Sequence, residues 1–250
     1  MFYQKGFVED MMGGQVFLTG FMQGIANAFT NTFLVEDRWK LFLSGLGNTL
    51  RIALFATLLG VLIGALVAIV KTLHKQTGKL KILNAVCEFY TTLIRGTPVV
   101  VQLLISYNII FVWSTHAVLV GIAAFGINSG AYVSEIIRAG INAVDIGQTE
   151  AGRSLGLSRG VTMRSIVLPQ AVKNVLPAIG NEFISLLKET SVIGYLGVID
   201  LTKAAERIIS RTMDAYFPYI AIALMYLAMV CIMNFFVKKL ERRLAKSDRG

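Results

Sequence analysis

The chain has 250 residues, of which 55% are hydrophobic and only 16% are charged, and its mean hydropathy is +0.64. Soluble domains carry about 25% charged residues, so this composition, together with long apolar runs, indicates a membrane protein. The net charge of +9 does not indicate nucleic-acid binding, because the basic residues lie beside the ends of apolar runs. Cys87 and Cys231 fall within apolar segments and are interpreted as small hydrophobic residues without a disulfide or metal role.

Residues 1–38 form a separate N-terminal segment. The first ten residues lack the basic region, apolar region and cleavage site of a signal peptide, so no cleaved signal is predicted. Residues 11–35 carry no charge, but glutamines, asparagines, threonines and glycines dilute their hydrophobicity. This favours an interfacial or extracytoplasmic segment over an additional span, and the loop charges do not decide between the two.

Four apolar segments are long enough to cross a bilayer as helices of about 20 residues. They cover residues 42–70, 83–112, 117–143 and 216–237. A fifth, residues 166–187, contains Pro177, which a membrane helix tolerates when neighbouring groups satisfy the freed carbonyl. The sequence therefore predicts an all-α integral membrane protein with five spans, a transmembrane domain over residues 39–240, and a tail over residues 241–250.

The distribution of lysine and arginine predicts the orientation of these spans. Basic residues are concentrated in three regions: between residues 70 and 83, between residues 138 and 173, and after residue 237. The first of these loops is assigned Lys71, Lys75, Lys79 and Lys81. In contrast, residues 188–214 balance four basic against four acidic residues. Since basic loops face the cytoplasm, the C-terminus is predicted to be cytoplasmic.

A polar stretch, EAGRSLGLSRGVTMRSIVLPQA at residues 150–171, interrupts the apolar pattern on the cytoplasmic side. Asp145 precedes Gln148 by three residues, the spacing of a capping box at a helix start. Gly156 is placed to end that helix in a left-handed conformation. Ser158 can cap a second helix, and Pro169 marks the start of the next span. The residues alone fit either a docking joint or a solvated connector.

This stretch resembles the cytoplasmic signature loop of ABC importer permeases, whose pattern is E-A-A, three residues, G, nine residues, I, one residue, L-P. The matching positions are Glu150, Ala151, Gly156, Ile166, Leu168 and Pro169. Gly152 departs from the pattern, which has alanine there, and is expected to loosen the helix. Residues 95–107, 130–152 and 168–191 also resemble the polar amino-acid branch of the family, the histidine-, glutamine- and arginine-type permeases. The resemblance covers residues 39–240.

The resemblance implies a five-span ABC importer permease fold with a cytoplasmic coupling helix, in a bacterial cytoplasmic membrane. It implies a permease subunit of an ATP-driven amino-acid importer, which is not an enzyme. Expected partners are a pair of ATPase subunits, a second identical or different permease subunit and an extracytoplasmic solute-binding protein. ATP and magnesium are expected on the ATPase, since this chain lacks a phosphate-binding loop motif. The expected coupling residues are Asp145, Glu150, Ala151, Gly152, Gly156 and Pro169.

Polar residues recur at helical spacing in three of the spans. The candidate substrate-pathway residues are Glu88, Arg95, Gln102, Asn128, Glu135, Asn181, Glu182 and Ser185. Ionisable groups at membrane depth are costly and usually face a bundle interior or a water-filled path. The alternative interpretation is adhesion between helices, including a Glu88–Arg95 pair. His74 and His116 lack neighbours suited to metal binding. The sequence does not indicate which amino acid is carried.

The segment 189–218 is predicted to contain an amphipathic helix on the extracytoplasmic side. Asp200 can cap it, and apolar residues follow at helical spacing. We expect the segment to close the outer mouth and contact the binding protein, or else to act only as a packing helix. Two other classes are disfavoured: a secondary transporter would show paired repeats with broken helices, and a channel would show a selectivity-filter loop or a ring of like charges.

Overall fold

The computed structural model describes residues 19–246, and that range contains helices and turns but no strand. The helices are α1 (residues 19–29), α2 (Trp39–Thr77), α3 (Lys81–Arg95), α4 (Val99–Ile105), α5 (Ala117–Asn142), α6 (Ile146–Ser154), α7 (Arg159–Thr162), α8 (Leu168–Glu189), α9 (Leu201–Thr212) and α10 (Tyr216–Lys246). Single π-helical turns follow α1, α4 and α7, and a 3-10 turn (Thr190–Leu196) follows α8. The all-α prediction is confirmed.

Three described helices are long and apolar enough to cross a membrane, namely Trp39–Thr77, Ala117–Asn142 and Tyr216–Leu244. They contain or closely match the predicted spans 42–70, 117–143 and 216–237. The fifth predicted span corresponds to α8, which has 22 residues with Pro177 inside. Helix α8 carries too many polar side chains to count among these three apolar helices. Its length of roughly 33 Å is nevertheless sufficient to cross a membrane.

The second predicted span is broken, so the prediction of one continuous helix over residues 83–112 is wrong. Helices α3 and α4 meet at an angle of 109°. The cause is Pro98, which lacks an N–H donor and disfavours helical geometry at the preceding Thr97. Glu88 and Arg95 therefore lie on α3, whereas Gln102 lies on α4. These residues do not share one helix face.

The loop between the first two spans is also shorter than predicted. Helix α2 runs for 39 residues and ends only at Gly78. Lys71 and Lys75 therefore lie within α2, and residues 78–80 alone separate it from α3. Nothing between residues 70 and 77 breaks a helix, so the basic residues extend α2 past its apolar part.

Helix α2 packs mainly against α5, through small residues. A Cβ atom added at Gly64 would lie 2.7 Å from Cβ of Val133, so the helices approach as closely as glycine permits. Close approach through small residues is the usual way in which helices associate inside lipid. Fully buried apolar residues of four helices then form the central core: Ile52, Leu103, Phe125 and Leu186.

Helices α6 and α9 lie at opposite ends of α2. Near the start of α2, a Cβ added at Gly45 would lie 2.6 Å from the carbonyl oxygen of Asp200, and Asn48 Nδ2 donates to Ile199 O at 2.9 Å. Near its end, Arg159 Nη1 lies 3.5 Å from Gln76 O. We call these the α9 end and the α6 end of the bundle.

Residues 19–38 contact the α9 end. The Phe33 ring lies 5.1 Å from Phe42 of α2 and 6.4 Å from Phe217 of α10. Arg211 Nη1 lies 2.9 Å from Glu36 Oε2, which ties this segment to α9. Residues 1–18 and 247–250 lie outside the described residues. Whether residues 11–35 cross the membrane therefore stays a prediction, as do the domain limits 1–38, 39–240 and 241–250.

Candidate functional site

Lys71 is the centre of a charged cluster that three helices form towards the α6 end. Its ammonium donates to Glu135 Oε1 of α5 at 3.0 Å and to Thr91 Oγ1 of α3 at 3.0 Å, and lies 3.3 Å from Glu88 Oε2. The Lys71 side chain is only 6% exposed. Burying an unpaired ammonium is costly, so these three oxygens make its burial tolerable. Lys71 therefore joins α2 to α3 and α5.

This role of Lys71 was not predicted, because Lys71 was assigned to a loop and interpreted as a charge that sets the orientation of the spans. One signal could have revealed it. Gly60, Gly64 and Ala68 recur every four residues along the buried face of α2, and Lys71 follows on the same face. A lysine that continues a row of small buried residues is placed to bind a partner inside the bundle.

The cluster borders a cavity of about 620 Å³ between α2, α3 and α5. Arg138 Nε donates to Glu135 Oε2 at 2.9 Å, so Glu135 is held by two cations. Glu88 remains 57% exposed to this cavity. The charged side chains around the cavity have both signs: Lys71, Lys75, Glu88, Arg95, Glu135 and Arg138.

Arg95 lines the same cavity but does not pair with Glu88. Its guanidinium carbon lies 5.5 Å from the ring centre of Tyr132 on α5, in a cation–π arrangement. The Glu88–Arg95 pair considered from the sequence is therefore absent, since Glu88 pairs with Lys71 instead. Arg95 has no carboxylate partner among the described residues, so its charge is available to the cavity.

Gln102 and Asn128 hold the bend between α3 and α4. Gln102 Nε2 donates to Ile94 O at 2.7 Å and to Thr97 Oγ1 at 2.7 Å. Asn128 Nδ2 of α5 donates to Gln102 Oε1 at 2.9 Å, and Asn128 is only 3% exposed. Gln102 and Asn128 therefore stabilise the contact of α3, α4 and α5. Their role in a substrate pathway stays a prediction.

The candidate residues of α8 lie away from the charged cavity. Glu182 is partly buried and accepts a hydrogen bond from Ser129 Oγ of α5 at 2.8 Å. Asn181 is exposed, and Ser185 is partly buried. The structure thus brings Glu88, Arg95 and Glu135 together around one cavity and leaves the α8 residues elsewhere. The pathway role of all these residues is a prediction that the geometry does not test.

Helix α6 begins as the sequence predicts. Asp145 is its N-cap, and Asp145 Oδ1 accepts from Gly147 N at 2.7 Å. The side chain of Gln148, expected to complete a capping box, bonds instead to Gln170 Nε2 of α8 at 3.2 Å. A helix of 9 residues is marginal alone, so this tie to α8 helps to hold it.

Helix α6 also ends as predicted, at a left-handed glycine. Gly156 has φ of +81°, Gly156 N donates to Arg153 O at 3.0 Å, and Leu157 N donates to Gly152 O at 3.1 Å. Together these bonds form a Schellman motif, in which a residue with a Cβ would be strained. Ser158 then caps α7 through Val161 N. The predicted helix–turn–helix is confirmed.

Pro169 does not separate the second helix of this motif from the next span. A π-helical turn, Met163–Val167, connects α7 directly to α8, and Pro169 is the second residue of α8. Pro169 has no N–H to donate to the preceding turn, and the side chain of Gln170 donates instead to Ile166 O at 3.0 Å. The helix–turn–helix therefore continues without a joint into α8.

The surface of α6 is open to a partner. Glu150 and Ala151 are exposed, and the two flanking apolar residues, Ile146 and Leu155, are 73% and 80% exposed. Gly152 instead faces inwards: a Cβ added there would lie 2.8 Å from Thr162 Cγ2. The glycine thus lets α6 and α7 approach closely, and the expectation that it loosens the helix stays a prediction.

At the α9 end, the predicted amphipathic helix is present. Asp200 caps α9 by accepting from Thr202 N at 3.1 Å and Lys203 N at 3.0 Å. Burial raises the pKa of the Asp200 carboxyl, although the backbone donors act in the opposite direction. The inward face of α9 is fully buried: Leu201, Ala204, Ala205 and Ile208. Its polar face carries Lys203, Glu206, Arg207 and Arg211.

The described residues contain no group of three or more His, Cys, Asp or Glu side chains arranged to hold a metal ion. The charged side chains that line the cavity are lysines, arginines and two glutamates. Such a set can bind a solute with charges of both signs, through ion pairs and charge-assisted hydrogen bonds.

Known proteins resemble this chain over most of its length. The Rickettsia bellii (strain RML369-C) protein named putative glutamine transport system permease protein GlnP is 39% identical over 206 residues, which is 80% of this chain and 90% of that protein. The Bacillus subtilis (strain 168) arginine transport system permease protein ArtQ is 37% identical over 209 residues, or 82% of this chain and 93% of that protein.

Solved structures agree in fold. A crystal structure of an amino acid ABC transporter with histidines has a TM-score of 0.78 and 43% identity, and the match covers 84% of this chain and 98% of that chain. The MetNI methionine ABC transporter in an inward-facing conformation has a TM-score of 0.69 at 17% identity, covering 82% of this chain and 97% of that chain, which shows the fold alone.

A family model described as "binding-protein-dependent transport system inner membrane component" matches residues 60–246. That range contains the whole charged cluster around Lys71, the helix–turn–helix and α9. The chain belongs to this family of inner-membrane transport components.

Proposed function

We propose that the chain conducts amino acids as the permease subunit of an ATP-driven importer, with its C-terminus and α6 end in the cytoplasm. As a member of its family, the chain is an inner-membrane transport subunit and not an enzyme. A separate ATPase and a solute-binding protein are the general partners of this family. Similarity to glutamine and arginine permeases and to an amino acid transporter supports the solute class.

The charged cavity between α2, α3 and α5 is the observation that carries the amino-acid assignment. A free amino acid carries an ammonium and a carboxylate, and each needs an opposite charge when it leaves water. Glu88 is 57% exposed beside the cavity, and Arg95 lines it without a carboxylate partner among the described residues. These two groups can receive the two charges, while Lys71, Glu135 and Arg138 stay engaged with one another.

Helix α6 is proposed as the coupling helix, which docks on the ATPase. Its exposed residues, Ile146, Glu150, Ala151 and Leu155, form the contact surface. Because α7 continues into α8 without a joint and α6 packs on α7 through Gly152, a displacement of α6 is transmitted to α8. Two permease subunits, identical or different, are proposed to form the pathway together. ATP and magnesium are proposed to bind the ATPase and not this chain.

The proposal is tested with the permease and its ATPase co-expressed, purified and reconstituted in liposomes with the binding protein. We expect ATP hydrolysis and uptake to rise severalfold with one chemical class of amino acid, and Arg95→Ala to abolish uptake. Arg51→Ala, which changes another arginine of the spans that does not line the cavity, serves as the control. Uptake that persists without the ATPase under an ion gradient would contradict the proposal.

A further inference from the structure

Two cavities of opposite character meet beside the end of α2. An apolar groove of about 370 Å³ lies between α2, α5 and α8, and a polar cavity of about 440 Å³ lies between the end of α2 and the helix–turn–helix. Both are lined by Gln76 and Met163, so they form one continuous surface.

The groove has almost entirely aliphatic walls and extends towards the middle of the membrane-spanning part. Its wall begins at Ala65 of α2, twelve residues before the end of that helix. This separation corresponds to roughly 18 Å along the helix axis. The opposite walls include Ile137 of α5 and Val172 of α8. A soluble protein cannot reach this depth, whereas a lipid acyl chain can.

The polar cavity carries three basic side chains, Lys75, Arg153 and Arg159, and no acidic residue lines it. None of the three pairs with a carboxylate among the described residues. Their bonds go to backbone carbonyls: Arg153 Nη1 donates to Leu157 O at 2.7 Å, and Arg159 Nη1 lies 3.5 Å from Gln76 O. Three close cations without a counter-ion favour the binding of an anion.

We propose that this surface binds an anionic phospholipid of the cytoplasmic leaflet, with an acyl chain in the groove and the phosphate on Lys75, Arg153 and Arg159. The apolar groove adjoins the three cations, so one lipid molecule can place its acyl chain in the groove and its phosphate on the cations. Basic pockets at the cytoplasmic ends of membrane helices select anionic head groups in this way. The inference rests on the proposed orientation, which places the α6 end in the cytoplasm.

The bound lipid would stabilise the position of the coupling helix. Its phosphate would contact α2 through Lys75, α6 through Arg153 and α7 through Arg159, three elements joined otherwise by few polar bonds. Anionic lipid would thus connect the span that borders the charged cavity to the surface that docks on the ATPase.

The test measures lipid retention by the intact complex with its ATPase, so it does not depend on transport. The complex is reconstituted in nanodiscs with equal phosphatidylglycerol and phosphatidylcholine of identical chains, and retained lipid is measured by mass spectrometry. Phosphatidylglycerol should be enriched, and Lys75→Gln with Arg159→Gln should reduce its relative affinity by roughly thirtyfold. Lys75→Arg with Arg159→Lys should keep the enrichment.

Two controls locate the effect. Lys238→Gln with Lys239→Gln removes two exposed charges of α10 that do not line the cavities, and the enrichment should remain. Val172→Trp narrows the groove without a change of charge and should reduce retention. Equal retention of the two lipids by the unchanged protein would overturn the proposal. So would displacement of the lipid by inorganic phosphate, or release of the ATPase by Lys75→Gln and Arg159→Gln with lipid retention unchanged.

Discussion

The two ends of the bundle are held by different interactions. At the α9 end, apolar residues that are 0% exposed, Leu201, Ala204, Ala205 and Ile208, pack α9 against α2 and α10. At the α6 end, α2 is joined to α3 and α5 by the ion pairs of Lys71 beside a cavity of about 620 Å³. A close-packed contact has one good arrangement, because a small displacement forfeits dispersion energy and creates voids. The contacts of Glu88 and Arg138, which are 57% and 53% exposed, can be exchanged at lower cost, since water compensates each group.

This contrast assigns different tasks to the two ends. The α9 end is packed to keep its shape, and the proposed function requires the α6 end to change its contacts when α6 is displaced. A transporter that alternates between two access states needs at least one region with two arrangements of comparable free energy. Substitutions at the two ends should therefore lower the free energy of unfolding by different amounts, most at close-packed contacts and least at exposed charges.

The largest effect is expected at Gly45. A Cβ there would lie 2.6 Å from the backbone oxygen of Asp200, which no side-chain rotation can relieve. Gly45→Val should therefore destabilise the protein by about 3 kcal/mol or more, seen as a lower melting temperature in detergent. Gly47→Val is the control on the same helix, because a Cβ at Gly47 meets nothing within 4 Å. Equal melting temperatures for the two variants would show that the close contact is absent.

Lys71→Met should come next. The change leaves Glu88 and Glu135 without their shared cation, and we expect a loss of about 2 kcal/mol. The loss should be smaller than for a fully buried pair, because Glu88 is 57% exposed and Arg138 still neutralises Glu135. The rate of amino-acid uptake should fall further than the loss of folded protein alone would explain. The control is Lys81→Met, which removes an exposed lysine at the start of α3.

One result would contradict the proposed role of Lys71. If Lys71→Met and Lys81→Met melt at the same temperature and support the same uptake, the ion cluster does not join the three helices.

Asp200→Ala should cost about 1–2 kcal/mol, since it removes the cap of α9. Asp200→Asn keeps the acceptor and should retain most of the stability. Because burial raises the pKa of the Asp200 carboxyl, the folded state holds its proton more tightly than the unfolded chain. That contribution to stability is present at acidic pH and is lost as the pH rises through the folded-state pKa. Melting temperature against pH should show this slope in the unchanged protein but less of it in Asp200→Asn.

Gly156→Ala should cost about 1 kcal/mol, because its φ of +81° strains a residue with a Cβ. Gly160→Ala serves as the control, since Gly160 is helical and a Cβ there meets nothing within 4 Å. ATP-dependent uptake should fall strongly for Gly156→Ala alone. Uptake reduced equally in both variants would mean that the turn geometry has no special part in coupling.

Local patterns allowed some of this architecture to be predicted from the sequence. Capping residues Asp145, Ser158 and Asp200, the stop at Gly156 and the apolar face of α9 all depend on neighbours within a few residues. Pro98 could have indicated the bend between α3 and α4, but the apolar residues on both sides of it led to the prediction of one continuous span.

The remaining features depend on contacts between distant segments. Lys71 contacts Glu135 because α2 approaches α5, and Gly152 packs on Thr162 because α6 approaches α7. Helical periodicity identifies a polar face without identifying the helix that it will meet. The candidate pathway residues were therefore grouped by spacing, whereas the structure groups them by cavity.

Glu150→Lys tests the central claim, that α6 couples this chain to an ATPase. The Glu150 side chain is exposed and has no hydrogen bond or ion pair with a described residue, so its replacement should change the free energy of unfolding by less than about 0.5 kcal/mol. The measurement is ATP-driven amino-acid uptake in liposomes, beside ATPase retention and melting temperature of the same preparation. The account predicts an unchanged melting temperature with lost uptake and weakened ATPase retention. Normal uptake by a stably folded Glu150→Lys protein would contradict it.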